Sequence, residues 1–224
     1  MQIKSTKDIK AERINALIYG QSGAGKTTLA GTLKGKTIII SLESGLLSLR
    51  SKDVDYIEIK GEGGVSKIAK IKEALNFVSK SDYVNVYIDS LTEIAQCFVE
   101  YAKHEYPEDR QTMKMWGRYS ELITAFIKYC RDMDKNVFFT ALEKTTQDDV
   151  GRRFCLPELP GSIATKCPAY FDLVFNLRVI KTDEKELRVL LTSSKENYIC
   201  KDRSGKLQEY VKPDLGAIMH EVFE

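Results

Sequence analysis

Short apolar runs alternate along the chain with segments whose apolar residues recur at helical spacing, which predicts a mostly parallel α/β sheet flanked by helices. Ile14-Asn15-Ala16-Leu17-Ile18-Tyr19 reads as a buried strand, and residues 27–34 as a short helix. Thr37-Ile38-Ile39-Ile40-Ser41-Leu42 is the next strand and ends at Glu43, while Tyr56-Ile57-Glu58-Ile59 alternates as a short edge strand does. After the turn Gly61-Glu62-Gly63-Gly64, residues 65–79 place Ile68, Ile71, Leu75, Phe77 and Val78 at helical spacing. Tyr83-Val84-Asn85-Val86-Tyr87-Ile88 is a further buried strand, ending at Asp89. Helices are expected over 91–103 and 117–132, with a strand at Val137-Phe138-Phe139-Thr140. Residues 143–169 carry no strong periodicity and read as a long loop. Residues 171–177 and 186–191 look like closing strands, antiparallel to each other, before a last helix over 213–223. No repeat, low-complexity tract or linker interrupts this order, so a single domain over 1–224 is expected.

Between the first strand and the first helix stands Tyr19-Gly20-Gln21-Ser22-Gly23-Ala24-Gly25-Lys26-Thr27-Thr28, a G-x-x-x-x-G-K-T run. In that strand–loop–helix setting the motif is a P-loop. Its glycines let the backbone curl so that N–H groups point inward at anionic phosphates, and the helix that follows adds the positive end of its dipole. Gly20, Gln21, Ser22, Gly23, Ala24, Gly25, Lys26, Thr27 and Thr28 are therefore the expected nucleotide cradle. Lys26 would reach the β- and γ-phosphates, and Thr27 would put its hydroxyl on Mg2+. ATP with Mg2+ is the expected ligand; no N-K-x-D run at a strand end offers the base-reading element of a GTPase.

Composition changes this picture little. An apolar share of 43% and a charged share of 29% suit a globular protein, and no apolar run reaches the roughly 18 residues of a membrane helix. The first residues hold no apolar signal core, so a cytoplasmic location without membrane contact is expected. Five dispersed cysteines without a C-x-x-C pair argue for reduced thiols rather than disulfides or zinc. A net charge of +2 leaves any nucleic-acid contact to local basic patches.

A phosphate cradle needs a second magnesium anchor and a group that acts on water before it hydrolyses anything. Asp89 ends an apolar strand in the Walker B manner and is the expected metal partner of Thr27; the alternative is a helix N-cap. Glu43 ends the strand after the P-loop helix and should emerge at the same sheet edge, where it could orient or deprotonate water; the alternative is an ordinary turn residue.

Together the P-loop, Ser41-Leu42-Glu43-Ser44-Gly45 and Tyr87-Ile88-Asp89-Ser90-Leu91 resemble the RecA-type ATPase core. In that family the strand after the P-loop helix ends in the catalytic glutamate, and the Walker B acid is commonly followed by serine. Cys200-Lys201-Asp202-Arg203-Ser204-Gly205 resembles the K-x-R-x-G element of RecA, RadA and DnaB relatives, whose basic residues reach across a subunit interface to the neighbour's γ-phosphate. Thr140-Ala141, Asp148-Asp149-Val150-Gly151, Leu159-Pro160-Gly161 and Phe171-Asp172-Leu173-Val174 are similar to the later segments of small phage proteins of this type. Those proteins are single-strand annealing or recombinase proteins.

The resemblance implies a RecA-like P-loop ATPase in which Glu43 is the catalytic base. Lys26 and Asp89 complete its own site, and Lys201 and Arg203 act in trans within a homo-oligomer; the alternative for Lys201-Asp202-Arg203 is a solvated charged turn. It also implies single-stranded DNA as substrate, phage-type recombination as setting and a single-strand-binding protein as partner. A polar γ-phosphate sensor is expected at the end of the 137–141 strand, where only Thr140 is a candidate. Two DNA-binding loops follow from the same likeness. The first holds Arg110, Lys114 and Trp116, whose ring is a core anchor or a stacking platform. The second, within 143–169, holds Arg152, Arg153 and Lys166, with Phe154 as a stacking ring. Two rivals stand beside this reading: a regulatory P-loop ATPase or helicase-loader-like protein that binds protein rather than DNA, and a small-molecule kinase with residues 152 and 153 on a lid.

Overall fold

The computed structural model describes residues 13–43, 45–107, 113–181, 185–195 and 197–224. The strands are β1 (Asn15–Gly20), β2 (Thr37–Ser41), β3 (Asp55–Glu58), β4 (Asn85–Asp89), β5 (Asn136–Gln147), β6 (Arg153–Pro157), β7 (Leu173–Lys181), β8 (Glu186–Leu191), β9 (Lys201–Asp202) and β10 (Tyr210–Val211). The helices are α1 (Gly63–Ser79), α2 (Leu91–Glu105), α3 (Met113–Arg131), α4 (Ile163–Lys166) and α5 (Leu215–Phe223). All the strands join one sheet in the order β10-β8-β7-β1-β5-β4-β2-β3, with β6 on β5 and β9 on β7. From β7 to β3 every neighbouring pair is parallel, whereas β8 and β10 close the other edge antiparallel.

The central strands read as unbroken apolar runs because both of their faces are covered. Leu17, Tyr19, Ile38, Ile40, Val86, Ile88, Val137 and Phe139 face α1, α2 and α3. The residues between them (Ala16, Ile18, Ile39, Tyr87 and Phe138) face the P-loop helix and α5. One sheet thus serves two cores, a direct consequence of side chains alternating along a strand. The five cysteines are buried free thiols. Burial pushes the Cys97 thiol up to about 11 and those of Cys167 and Cys200 to about 12.

The short helix after the P-loop is a 3-10 helix over Thr27–Thr32. One expectation needs correction: the supposed loop 143–169 is structured. β5 runs on past the end of β1, whose Gly20 is opposite Leu142, and pairs antiparallel with β6 from Glu143 opposite Pro157 to Gln147 opposite Arg153. At about 3.3 Å per residue, the five residues 143–147 carry β5 some 16 Å past Leu142, while β6 folds back with Cys155 and Leu156 buried. α4 and a 3-10 turn at Cys167–Tyr170 complete the segment.

Candidate active site at the carboxyl ends of the strands

β1, β2, β4 and β5 run parallel, so Gly20, Ser41, Asp89 and Leu142 all stand at one edge of the sheet. Strand ends at such an edge are where ligands of open α/β sheets bind. Gly20 has to lack a side chain, since a Cβ there would lie 2.4 Å from the carbonyl oxygen of Leu177 on β7. Gly25 takes a φ of 105°, in the left-handed region that glycine alone enters freely. Between them the loop wraps the Lys26 ammonium, whose Nζ donates to the carbonyls of Gly20 and Gln21 at 2.9 Å each. Lys26 is only 8% exposed, and burial lowers its pKa from the ordinary lysine value against the opposing pull of Glu43, Asp89 and Glu143. The buried Tyr87 hydroxyl donates to the Lys26 carbonyl and pins the base of the loop to β4.

Asp89 receives two hydroxyls. Thr27 Oγ1 donates to Oδ2 at 2.7 Å, and the buried Thr140 donates to Oδ1 from β5. The carboxylate is itself buried, so both oxygens are held in a fixed direction. On its other side, Asp89 accepts the backbone N–H of Leu42 at 2.7 Å and that of Glu43 at 3.4 Å through its carbonyl. These bonds continue the β2–β4 pairing past the strand ends and bring Glu43 alongside Asp89. The Ser90 hydroxyl then donates to Glu43 Oε1, and Ser41 Oγ donates to the Glu43 carbonyl at 2.6 Å. Ser90 also caps α2 by accepting the N–H of Glu93.

Glu143 lies on the opposite flank of the P-loop, where Asn176 Nδ2 donates to its Oε2 at 2.7 Å and to the Tyr19 carbonyl at 3.4 Å. A cleft of about 330 Å³ opens there, lined by Gln21, Ala24, Glu143, Arg178, Arg188 and Tyr198 among others. Arg178 sits over the Tyr198 ring at 4.4 Å, and Arg188 Nε donates to the Ala24 carbonyl at 3.2 Å. Sequence reasoning passed over Glu143, Asn176 and Arg188. No motif marks them, and only the neighbouring of β5, β7 and β1 brings the first two together.

The residues present fit Mg-nucleotide. Among the described residues no group of three or more His, Cys, Asp or Glu gathers as a metal cage. A single carboxylate beside a threonine hydroxyl is instead the donor set for Mg2+ that keeps waters and takes phosphate oxygens. The loop's lysine rests on neutral carbonyls that a phosphate can replace.

The remaining candidates lie elsewhere. Thr140, expected as a γ-phosphate sensor, spends its hydroxyl on Asp89. Lys201 and Arg203 do not reach the P-loop of their own chain: Lys201 pairs opposite Val174, near the start of β7, and β7 starts beside the start of β1. Lys201 Nζ donates to the Phe171 carbonyl at 2.7 Å, and Arg203 pairs with Asp172 at 2.7 Å. Burial and the neighbouring Arg203 lower the Lys201 pKa. Arg152 is ion-paired with Asp148 in the hairpin turn, and Arg153 is exposed on β6. Phe154, expected as a stacking ring, is partly buried and packs on the core. Trp116 is 39% exposed, edge-on to Tyr119 and beside Gly161. Lys114 and Lys166 are exposed on α3 and α4, and Arg110 lies outside the described residues.

This edge of the sheet, with its P-loop and with Asp89 and Glu43 side by side, belongs to a nucleotide-binding P-loop ATPase core. Residues 12–204 match the model of the AAA domain family AAA_24, and the chain belongs to that family. Comparison with curated proteins gives no match. Among solved structures, a KaiC-like protein from the hyperthermophilic archaeon Pyrococcus horikoshii OT3 shares the fold. The likeness has a TM-score of 0.50 at 13% identity and covers 83% of this chain and 80% of that one.

Proposed function

We propose that this chain is a Mg2+-dependent ATPase that works on single-stranded DNA in phage-type recombination or annealing. The observation that carries the enzymatic part is the hydrogen-bonded series Thr27–Asp89–Thr140 set beside Ser90–Glu43. Thr27 and Asp89 would hold Mg2+, and P-loop N–H groups with Lys26 would hold the triphosphate. When bound, the metal supplies charge neutralisation at the β- and γ-phosphate oxygens. The chain's own residues do the rest. Lys26 leaves the Gly20 and Gln21 carbonyls for phosphate oxygens, and the loop keeps the phosphates from bulk water. Ser90 holds one oxygen of Glu43, so that the other orients a water for in-line attack and accepts its proton.

The DNA-directed part rests on the resemblance to RecA-type recombinases and on the β5–β6 hairpin, which carries the exposed Arg152 and Arg153. Lys201 and Arg203 would act in trans, which requires a head-to-tail neighbour. A second reading, a regulatory or helicase-loader-like ATPase that grips a protein, is favoured by one observation. Arg152 is ion-paired with Asp148 and Phe154 is partly buried against the core, leaving less cationic and aromatic surface for DNA.

Phosphate release with and without single-stranded DNA, run beside size-exclusion chromatography, tests the proposal. Mg2+-dependent turnover that rises with DNA is expected. No turnover in either condition would sink the enzymatic part, and turnover indifferent to DNA would favour the protein-binding reading.

A further inference from the structure

Arg188 points to a second cation in the nucleotide site, supplied by the same chain. Arg188 lies on β8, opposite Val179 of β7, so a strand that is not adjacent to β1 delivers it to the loop. Its Cδ and Nε lie 3.7 Å from the position a Cβ would take on Gly25, an ordinary contact distance that seats the side chain directly against the loop. Nε donates to the Ala24 carbonyl at 3.2 Å, the single hydrogen bond this guanidinium makes among the described residues. A guanidinium carries five donors, and the rest are on its two terminal nitrogens. Arg188 borders the cleft that Gln21, Ser22, Gly23 and Ala24 line from the P-loop side. Arginine's fixed fork suits phosphate oxygens better than any other side chain.

We infer that Arg188 is a nucleotide-binding residue acting in cis: Nε braces the P-loop tip through Ala24, and the terminal nitrogens bind phosphate oxygens of the nucleotide held by that loop. The inference rests on the nucleotide-binding reading above. It differs from the trans role of Lys201 and Arg203, because it asks for no neighbouring copy.

The test is binding of ATP, ADP and inorganic tripolyphosphate to the full chain and to Arg188→Ala, Arg188→Gln and Arg188→Lys. If the wild-type chain binds none of them, the nucleotide reading itself fails, and that outcome is separate from the ones below. Loss of a charge-assisted contact predicts about 10- to 100-fold weaker binding of ATP and tripolyphosphate by Arg188→Ala, with partial recovery in Arg188→Lys. Glutamine can keep the bond to Ala24 but carries no charge. Wild-type affinity in Arg188→Gln would therefore reduce Arg188 to a brace and overturn the phosphate contact. Weakened ATP with unchanged tripolyphosphate would move the contact to the nucleoside and overturn it as well. Mixing Lys26→Ala with Arg188→Ala distinguishes cis from trans. Unrestored turnover is expected, and recovery in the mixture would show Arg188 serving a neighbour's site.

Discussion

The Ser90 hydroxyl donates to Oε1 of Glu43, so the residue that follows the Walker B aspartate grips the carboxylate at the end of the adjoining strand. The same hydroxyl accepts the N–H of Glu93 at the start of α2. The orientation of Glu43 is thereby tied to a helix whose inner face is packed on the core.

Removing either partner of this pair should separate chemistry from binding. Glu43→Gln is expected to lose about 10²–10⁴ in turnover, the range for a lost general base. Ser90→Ala, which leaves Glu43 in place but unheld, should lose about tenfold or more, since one hydrogen bond to a charged group is worth about 1.5 kcal/mol or more. Steady-state kinetics should show KM for ATP nearly unchanged in both; a KM effect larger than the kcat effect would contradict this division.

Lys26→Ala should lose at least about 10² in turnover, as for one charge contact made in the transition state. Nucleotide should also stop protecting the variant from heat. A ligand at a hundred times its Kd stabilises a protein by about 2.7 kcal/mol, a gain that differential scanning fluorimetry should show for the wild type and not for the variant.

The lowered pKa of Lys26 carries a sign that can be checked without nucleotide. Between its depressed folded value and the ordinary lysine value of about 10.4, the unfolded chain holds the proton and the folded chain has released it. Stability contributed by this residue therefore rises with pH through that window, and below it the cost of burying the charge is fully present. Urea unfolding of wild type and Lys26→Met across this range should show the variant's relative advantage shrinking as pH rises. A gap that stays constant would mean that the buried ammonium is not penalised.

Thr140→Val keeps the shape of the side chain and removes the donor to Asp89 Oδ1. A buried carboxylate oxygen left short of a partner costs about 1–3 kcal/mol, which chemical denaturation should register. The Mg2+ concentration for half-maximal turnover should rise too, because the carboxylate is no longer aimed.

Arg152→Glu combined with Arg153→Glu should weaken binding of single-stranded DNA and flatten its dependence on salt. Each lost phosphate contact removes about 0.7 from the slope of log K against log salt. The thermal midpoint serves as the control for folding. An unchanged slope would remove the hairpin from the DNA-binding surface.

The P-loop, Glu43 and Asp89 could be read from the chain because each ends or closely follows a fully buried strand, where an apolar run gives way to polar residues and the edge of the sheet follows. The hairpin could not. Residues 143–147 of β5 extend past the sheet with only one partner strand, so they bury neither face fully and show no apolar period. Lys-Thr-Thr-Gln there has the look of a loop, although threonine suits a strand. The 3-10 winding of Thr27–Thr32 is not legible in the sequence, because Thr27, Thr28 and Leu29 fit either helix. Glu143, Asn176 and Arg188 stand on three strands, and no spacing within the chain anticipates their meeting beside the P-loop.

The resting place of Lys26 has a consequence for selectivity. Its ammonium already has two good acceptors in the Gly20 and Gln21 carbonyls, so an incoming molecule must offer something better than a neutral oxygen to draw it away. Only an anion meets that condition, and hydrogen bonds to charged groups exceed neutral ones by about a factor of two. The free loop therefore acts as a threshold. Nucleosides and other uncharged visitors leave the lysine where it is, and the triphosphate gains entry by out-competing the protein's own backbone.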